Sequence, residues 1–238
     1  INLGLVFCFK QINFINNNLS LSFILNLAVP LGISYYTLQA LGYTIDIYRK
    51  VAKPETNIAK YALFVSYFPQ FVMGPISRFN ELHYQFFEKH NFNKEQFIYG
   101  IRRILYGFFK KLVIADRIGI FTNTIYSNYN EFSGTTLVLT IILYTFQLYA
   151  DFSGYMDIAI GVSNCFGITI QENFKSPFFS KSIQEFWTRW HITLYTWFKD
   201  YVFYPIIFSK FVKKLHGYLK NKNQLISMFP AITAIMIV

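Results

Sequence analysis

Residues Thr135–Gly167 read TTLVLTIILYTFQLYADFSGYMDIAIGVSNCFG, a run whose only charged side chains are Asp151 and Asp157. A helix crosses a membrane with about 20 largely apolar residues at a rise of about 1.5 Å each. As one helix this run would measure roughly 50 Å, too long for the hydrocarbon core unless tilted or broken. Asp151, Gly154 and Gly161 are the expected break points. Upstream, Leu112–Ser127 is expected to cross in the opposite sense, with Asn128–Gly134 as an outer turn. Asp116 and Arg117 near its start would then need each other or the interface. The run therefore predicts an all-α, multi-span membrane protein.

The flanks extend this reading. Phe97–Asp116 mixes an apolar face with Arg102, Arg103, Lys110 and Lys111. It reads as an amphipathic helix on the cytoplasmic surface, its cations snorkelling. Ile58–Ile76 contains Pro69 and Gly74-Pro75 between two basic loops. It is expected to enter and leave the membrane by one side, since irregular backbone at depth needs shielding by protein. Leu19–Tyr48 supplies a span with a kink at Pro30 and Gly32. Downstream, Ser176-Pro177 marks a turn, and a helix from about Ser182 to Tyr204 ends at Pro205. A lysine-rich loop (Lys210, Lys213, Lys214, Lys220, Lys222) precedes a further span from Gln224. The chain opens on Ile1 and stops inside the apolar run Phe229–Val238, so residues 1–238 are expected to be one incomplete transmembrane domain, truncated at both ends.

Composition agrees. Hydrophobic residues make up 53% and charged residues 14%, against about 25% charged in soluble domains. The net charge of +10 would suit nucleic acid, but the basic residues sit between apolar runs instead of on one polar face. That placement predicts cytoplasmic loops beside membrane lipid in a multi-pass protein of the cell membrane, and no nucleic-acid partner. Cys8 and Cys165 form no framework, and no histidine pair has metal-ligand spacing, so no metal is expected. His83 and His90 fall in an expected surface loop, and His216 in the lysine-rich one.

Polar signals concentrate between Asp151 and Asp200. Ionisable groups inside a membrane are costly and point first to function. Asp151 and Asp157 fit that, or they tie helices together through Ser and Tyr hydroxyls. Trp187, Trp190, His191, Leu194 and Phe198 recur at one helical face, with Arg189, Thr193, Thr196 and Asp200 on another. An imidazole packed among indoles would lose proton affinity through desolvation and could take a proton from an attacking hydroxyl. Periodicity alone favours the other reading, a member of an interfacial aromatic belt.

The block Asp151-Phe-Ser-Gly-Tyr-Met-Asp-Ile-Ala-Ile-Gly161 resembles the signature of the membrane-bound O-acyltransferase family. Glu172-Asn-Phe-Lys-Ser-Pro-Phe178 and Glu185-Phe-Trp-Thr-Arg-Trp-His191, continuing to Trp197-Phe-Lys-Asp-Tyr201, are similar to the next blocks of that family. Phe68-Pro-Gln-Phe-Val-Met-Gly-Pro-Ile76 and Gly107-Phe-Phe-Lys-Lys-Leu-Val-Ile-Ala-Asp116 match it upstream, in the same order. The resemblance spans about Pro30–Pro205. It implies a helical ring around a thinned membrane region, with re-entrant and interfacial helices and a tunnel joining the two faces. Asp157 favours the branch that acetylates cell-envelope polysaccharides such as alginate. The sister branch, which transfers D-alanine to teichoic acid, usually carries an apolar residue there.

By resemblance, His191 matches one of two central histidines; the second is expected beyond Val238, in a Trp-His-Gly motif. An acyl donor, acetyl-CoA as co-substrate with no bound cofactor, is then expected on the cytoplasmic side. The acceptor would be a polysaccharide, reached directly or through an extracytoplasmic acetyltransferase partner. Trp187, Arg189, Trp190, Asp200, Asn173, Asp151 and Asp157 are candidates to line the tunnel or orient substrate. The rival class is a non-catalytic transporter or export subunit, although transporters of inverted-repeat design pair broken helices in two halves, and no such repeat is visible.

Overall fold

The computed structural model describes residues 29–210 and 212–214. The expectations for the start of the Leu19 span, His216, the end of the lysine-rich loop and the Gln224 span lie outside those residues. Among the described residues the fold is all-α, and its single β feature is an isolated bridge between Phe174 and Trp190.

Helix α1 (Ile33–Tyr48) starts where the sequence suggested a kink. Gly32 has φ +72°, and a Cβ there would lie 2.0 Å from the carbonyl oxygen of Phe71. Only glycine fits both the left-handed backbone and that approach, so the site begins a helix instead of bending one. The Ile58–Ile76 run divides into α2 (Ile58–Val65) and α3 (Phe68–Phe71), followed by extended chain to a one-turn helix α4 (Phe79–Leu82). Pro69 sits in the first turn of α3, where its missing N–H costs nothing. Phe64, Tyr67, Gln70, Pro75 and Ile76 are buried, so protein shields this irregular backbone.

Two corrections concern the longest helices. Helix α5 (Lys94–Phe108) runs through a π-helical turn (Phe109–Ala115) into α6 (Asp116–Ser127), forming one rod. The expected surface helix and the expected crossing segment are thus a single element. The rod packs antiparallel along α7 (Gly134–Cys165), which is unbroken over 32 residues, roughly 48 Å. Gly154 and Gly161 allow close contact instead of a break. A Cβ on Gly161 would lie 2.6 Å from the Gly100 oxygen, and one on Gly107 would lie 2.6 Å from the Gly154 oxygen.

At that separation the rod's cations meet acids on α7 and after it. Arg103 Nε is 2.7 Å from Asp157 Oδ1, and Lys110 Nζ is 2.7 Å from Asp157 Oδ2. The other Arg103 nitrogens grip both oxygens of Glu172 at 2.6 and 2.7 Å. Lys111 joins Asp116 (2.8 Å) and Asp151 (2.6 Å). These three side chains therefore pair with carboxylates of the protein itself instead of snorkelling. Asp116 takes Lys111, not Arg117. The rod turns Leu105, Phe108, Phe109, Leu112, Val113 and Ile120 outward while Arg103, Lys110 and Lys111 reach acids on the α7 side, as suits lipid surroundings.

The N-terminal half of α7 exposes Val138, Leu139, Ile141, Ile142 and Phe146, whereas Ala150 to Asn164 is mostly buried. Among the described residues α7 is the one helix long and apolar enough to cross a membrane. Its buried end packs Ala159 and Ile160 with Tyr43, Phe64, Tyr67, Phe79, Leu82, Ile168 and Ile170.

Gly107→Val drives a branched side chain into the Gly154 carbonyl and is expected to cost about 1–3 kcal/mol or more. Gly119→Ala meets only the flexible end of Gln147 at 3.0 Å and should be better tolerated. Thermal unfolding of both variants in detergent checks the order.

Candidate active site

The expected helix Ser182–Tyr204 is broken at its most interesting residue. Helix α8 (Ile183–Arg189) stops before Trp190, and α9 (Ile192–Phe198) begins after His191. The chain continues as a π-helical turn (Lys199–Phe203) into α10 (Tyr204–Ile207), with Pro205 in its first turn. Pro205 therefore does not end the helical path. His191 has φ +47° and ψ +51°, a left-handed conformation costing a non-glycine residue roughly 1–2 kcal/mol. Such strain persists only where the surroundings hold it, and it concentrates at functional sites.

What holds it is the segment after α7. Phe174 pairs with Trp190 in the antiparallel bridge, Lys175 N–H donates to Arg189 O (2.9 Å), and Ile192 N–H donates to Asn173 O (3.0 Å). Asn173 is wholly buried. Its Oδ1 accepts from Thr193 N–H (3.0 Å) and the Thr193 hydroxyl (3.0 Å), and it lies 3.2 Å from His191 Nδ1. Thr193 Oγ1 in turn accepts from the Ile76 N–H at 3.0 Å.

These contacts fix a tautomer. A backbone N–H can only donate, so the Asn173 atom that meets Thr193 N is its oxygen. His191 Nδ1 must therefore carry hydrogen to bond that oxygen, which leaves Nε2 unprotonated and, among the described residues, without a hydrogen-bond partner. Phe152 packs perpendicular to the imidazole with centroids 4.7 Å apart. His191 lies in the break between two short helices, outside the spanning helix α7. Burial pushes its pKa down to about 4, because desolvation disfavours the imidazolium.

The predicted site residues divide. Asn173 and His191 are brought together. The aromatic face is not formed, because the left-handed turn destroys the helical period. Trp190 packs instead with Phe174 (5.0 Å), Phe186 (5.6 Å) and Tyr149 (6.0 Å). Trp187 is 48% exposed against Phe186. The imidazole thus sits beside Phe152 and a carboxamide, not among indoles. Nor does the expected polar face form. Arg189 bonds Glu185 on its own helix at 2.6 Å. Asp200 pairs with Arg78, the arginine after Gly74-Pro75-Ile76-Ser77. Asp151 and Asp157 belong to the ionic ladder on the rod side of α7, so they tie helices through cations and not through hydroxyls.

Sequence reasoning missed Phe152, Glu172, Arg78 and the inward roles of Arg103, Lys110 and Lys111. The seven-residue spacing shared by Gly100/Gly107, Arg103/Lys110 and Gly154/Gly161 was the available signal. Among the described residues, no three His, Cys, Asp or Glu side chains converge as metal ligands would.

The family description of membrane-bound O-acyltransferases matches residues 49–219. This chain belongs to the membrane-bound O-acyltransferase family. It is 41% identical over 175 residues to a probable alginate O-acetylase of Pseudomonas syringae pv. tomato, covering 74% of this chain and 33% of that protein. It is 35% identical over 236 residues to a peptidoglycan O-acetyltransferase of Helicobacter pylori, covering 86% of this chain and 45% of the relative. A teichoic acid D-alanyltransferase of Bacillus subtilis is 34% identical over 203 residues, with 83% and 50% covered. The chain thus spans between a third and a half of these relatives' lengths.

His191→Gly relieves the left-handed backbone while losing one hydrogen bond of about 1 kcal/mol. It is expected to keep stability within about 1 kcal/mol of native, measured by thermal unfolding. Asp157→Ala removes the carboxylate that holds Lys110 and one of the two that hold Arg103, at a side chain 6% exposed, and is expected to cost about 3–5 kcal/mol. Asp116→Ala, at a side chain 44% exposed, should cost under about 1 kcal/mol.

Proposed function

We propose that this chain forms part of a multi-pass cell-membrane acyltransferase that moves an acetyl group from a cytoplasmic donor to a hydroxyl of a cell-envelope polysaccharide. The observation that carries the reading is the His191–Asn173 contact, with a neutral, desolvated imidazole whose Nδ1 is anchored and whose Nε2 is free. General-base catalysis needs that tautomer, because the proton of the attacking group must find an unoccupied nitrogen lone pair. The sugar hydroxyl gives its proton to His191 Nε2 as its oxygen bonds to the acyl carbon. The bond from carbon to the donor's sulfur breaks, and the departing thiolate recovers the proton from the imidazolium.

Asn173 is a positioning residue in this scheme. Its oxygen holds the ring's orientation and stabilises the Nδ1–H as positive charge develops on the ring. Thr193 and Ile76 keep that oxygen in place, so the Gly74-Pro75-Ile76-Ser77 loop supports the chemistry without touching substrate. Acetyl-CoA is the donor we infer, its phosphates drawn to the basic loop Arg49, Lys50 and Lys53. An extracytoplasmic acetyltransferase partner fits the same scheme as a relay that takes the acetyl group and passes it to the polysaccharide.

The D-alanyl reading keeps this mechanism and changes the cargo, and the teichoic acid relative is what favours it. Full-length protein in nanodiscs, given labelled acetyl-CoA and an acceptor glycan, decides between the readings. Acetyl transfer that falls at least 100-fold in His191→Ala at normal protein levels is expected. Undiminished transfer removes His191 from the chemistry, and flux of label without transfer makes the protein a carrier.

The pH profile gives a second test. With the His191 pKa near 4, the native rate should show no acid limb between about pH 5.5 and 7.5, where an ordinary histidine titrates. Asn173→Asp keeps the acceptor oxygens and sets an anion against Nδ1, which favours the imidazolium. An acid limb should then enter that window.

A further inference from the structure

On the side of Asn173 facing the rod lies a cavity of about 290 Å³ between α5 and α7. Its inner wall is Met156, whose sulfur accepts the Asn173 Nδ2–H at 3.2 Å, and Phe174, whose ring meets Phe152 at 5.0 Å. The cavity is therefore one side-chain layer from the group that orients His191. Ser153 also lines it. That residue is 2% exposed, and its hydroxyl has no hydrogen-bond partner among the described residues. Other hydroxyls on the same helix, those of Thr140, Thr145 and Ser163, donate to the carbonyl four residues back. Ser153 does not, so a buried donor and acceptor is left for something else.

The remaining lining sets the chemistry of that partner. Two cations, Arg103 and Lys110, face two carboxylates, Asp157 and Glu172, and the charges cancel. Little is gained here by a ligand of either net charge, and its desolvation would go uncompensated. Hydrogen-bonding capacity nevertheless remains. Lys110 has three N–H donors, gives one to Asp157 and sets its charge 4.6 and 5.8 Å from the Tyr106 and Tyr149 ring centroids, and the Glu172 side chain is 37% exposed. Tyr106, Tyr149 and Phe174 add aromatic walls. Apolar faces joined to a few convergent, charge-balanced hydrogen-bonding groups suit a compact molecule with C–H faces and a rim of hydroxyls. The volume lies just under the roughly 300 Å³ at which pockets accept drug-sized ligands, enough for one sugar ring.

We infer that this cavity binds a single uncharged sugar unit through Ser153, Lys110 and the Tyr106–Tyr149 walls. Its role as part of the acyl acceptor rests on the acyltransfer reading; binding itself does not. Full-length protein in nanodiscs is titrated with methyl α-D-glucopyranoside, glucuronate and pantetheine, and binding is followed by saturation-transfer NMR and calorimetry. The neutral glycoside is expected to bind at least tenfold more tightly than glucuronate. Ser153→Leu, which fills the cavity, should weaken it at least tenfold, and His191→Ala should leave it unchanged. Tyr106→Ala, at a half-exposed wall, should weaken it about fivefold and serves if Ser153→Leu does not fold. Equal or tighter binding of glucuronate, displacement of the glycoside by pantetheine, insensitivity to both cavity variants, or no binding of the glycoside each overturns the assignment. Loss of acyl transfer in His191→Ala with glycoside binding intact separates this outcome from failure of the catalytic reading.

Discussion

One carboxamide oxygen, Asn173 Oδ1, fixes the geometry of this region. It gathers the amide and hydroxyl of Thr193 and the Nδ1 of His191, and through Thr193 it reaches Ile76. Each donor would be expensive to bury without a partner, so the α8–α9 break and the chain after α7 meet at that atom, and the loop after α3 joins them through Thr193. The left-handed backbone of His191 is the local cost, and the proton on its Nδ1 is the consequence.

Behind that junction stands a helix pair built inside out. Gly100 against Gly161 and Gly107 against Gly154 bring two backbones within carbonyl contact. Only at that distance do Arg103 and Lys110 reach Asp157 while apolar residues of the rod face outward. In lipid the arrangement favours itself, since apolar outer faces need no water and the ions neutralise one another inside. Glu172 extends the same ionic ladder to the residue before Asn173, so the packing of the pair and the placement of the imidazole are linked by one peptide unit.

Much of this was legible in the residues, and the failures are instructive. Hydropathy located α7 to within a few residues, and the Gly-Pro punctuation of Ile58–Ile76 announced broken, shielded backbone. Glycine, however, was read as a breaker in Gly154 and Gly161, although at seven-residue spacing it marks a close crossing. Cations on an apolar helix suggest snorkelling, because the position of their acid partners on α7 is a tertiary fact. Period 3.6 was extended across Trp190 and His191, where no local residue announces a left-handed turn. The motif blocks pointed to His191 and Asn173, yet spacing could not reveal that they share a hydrogen bond. Arg78 and Asp200, 122 positions apart, were invisible for the same reason.

Catalysis by this route depends on the protonation state of one ring. Solid-state ¹⁵N NMR of histidine-labelled full-length protein in lipid, with His191 assigned by its absence in a His191 variant, reads both nitrogens directly at neutral pH. A hydrogen on Nδ1 and a bare Nε2, unchanged on acidification to about pH 5.5, is the expected spectrum. An imidazolium at neutral pH, or a ring carrying its hydrogen on Nε2, would contradict the mechanism at its root.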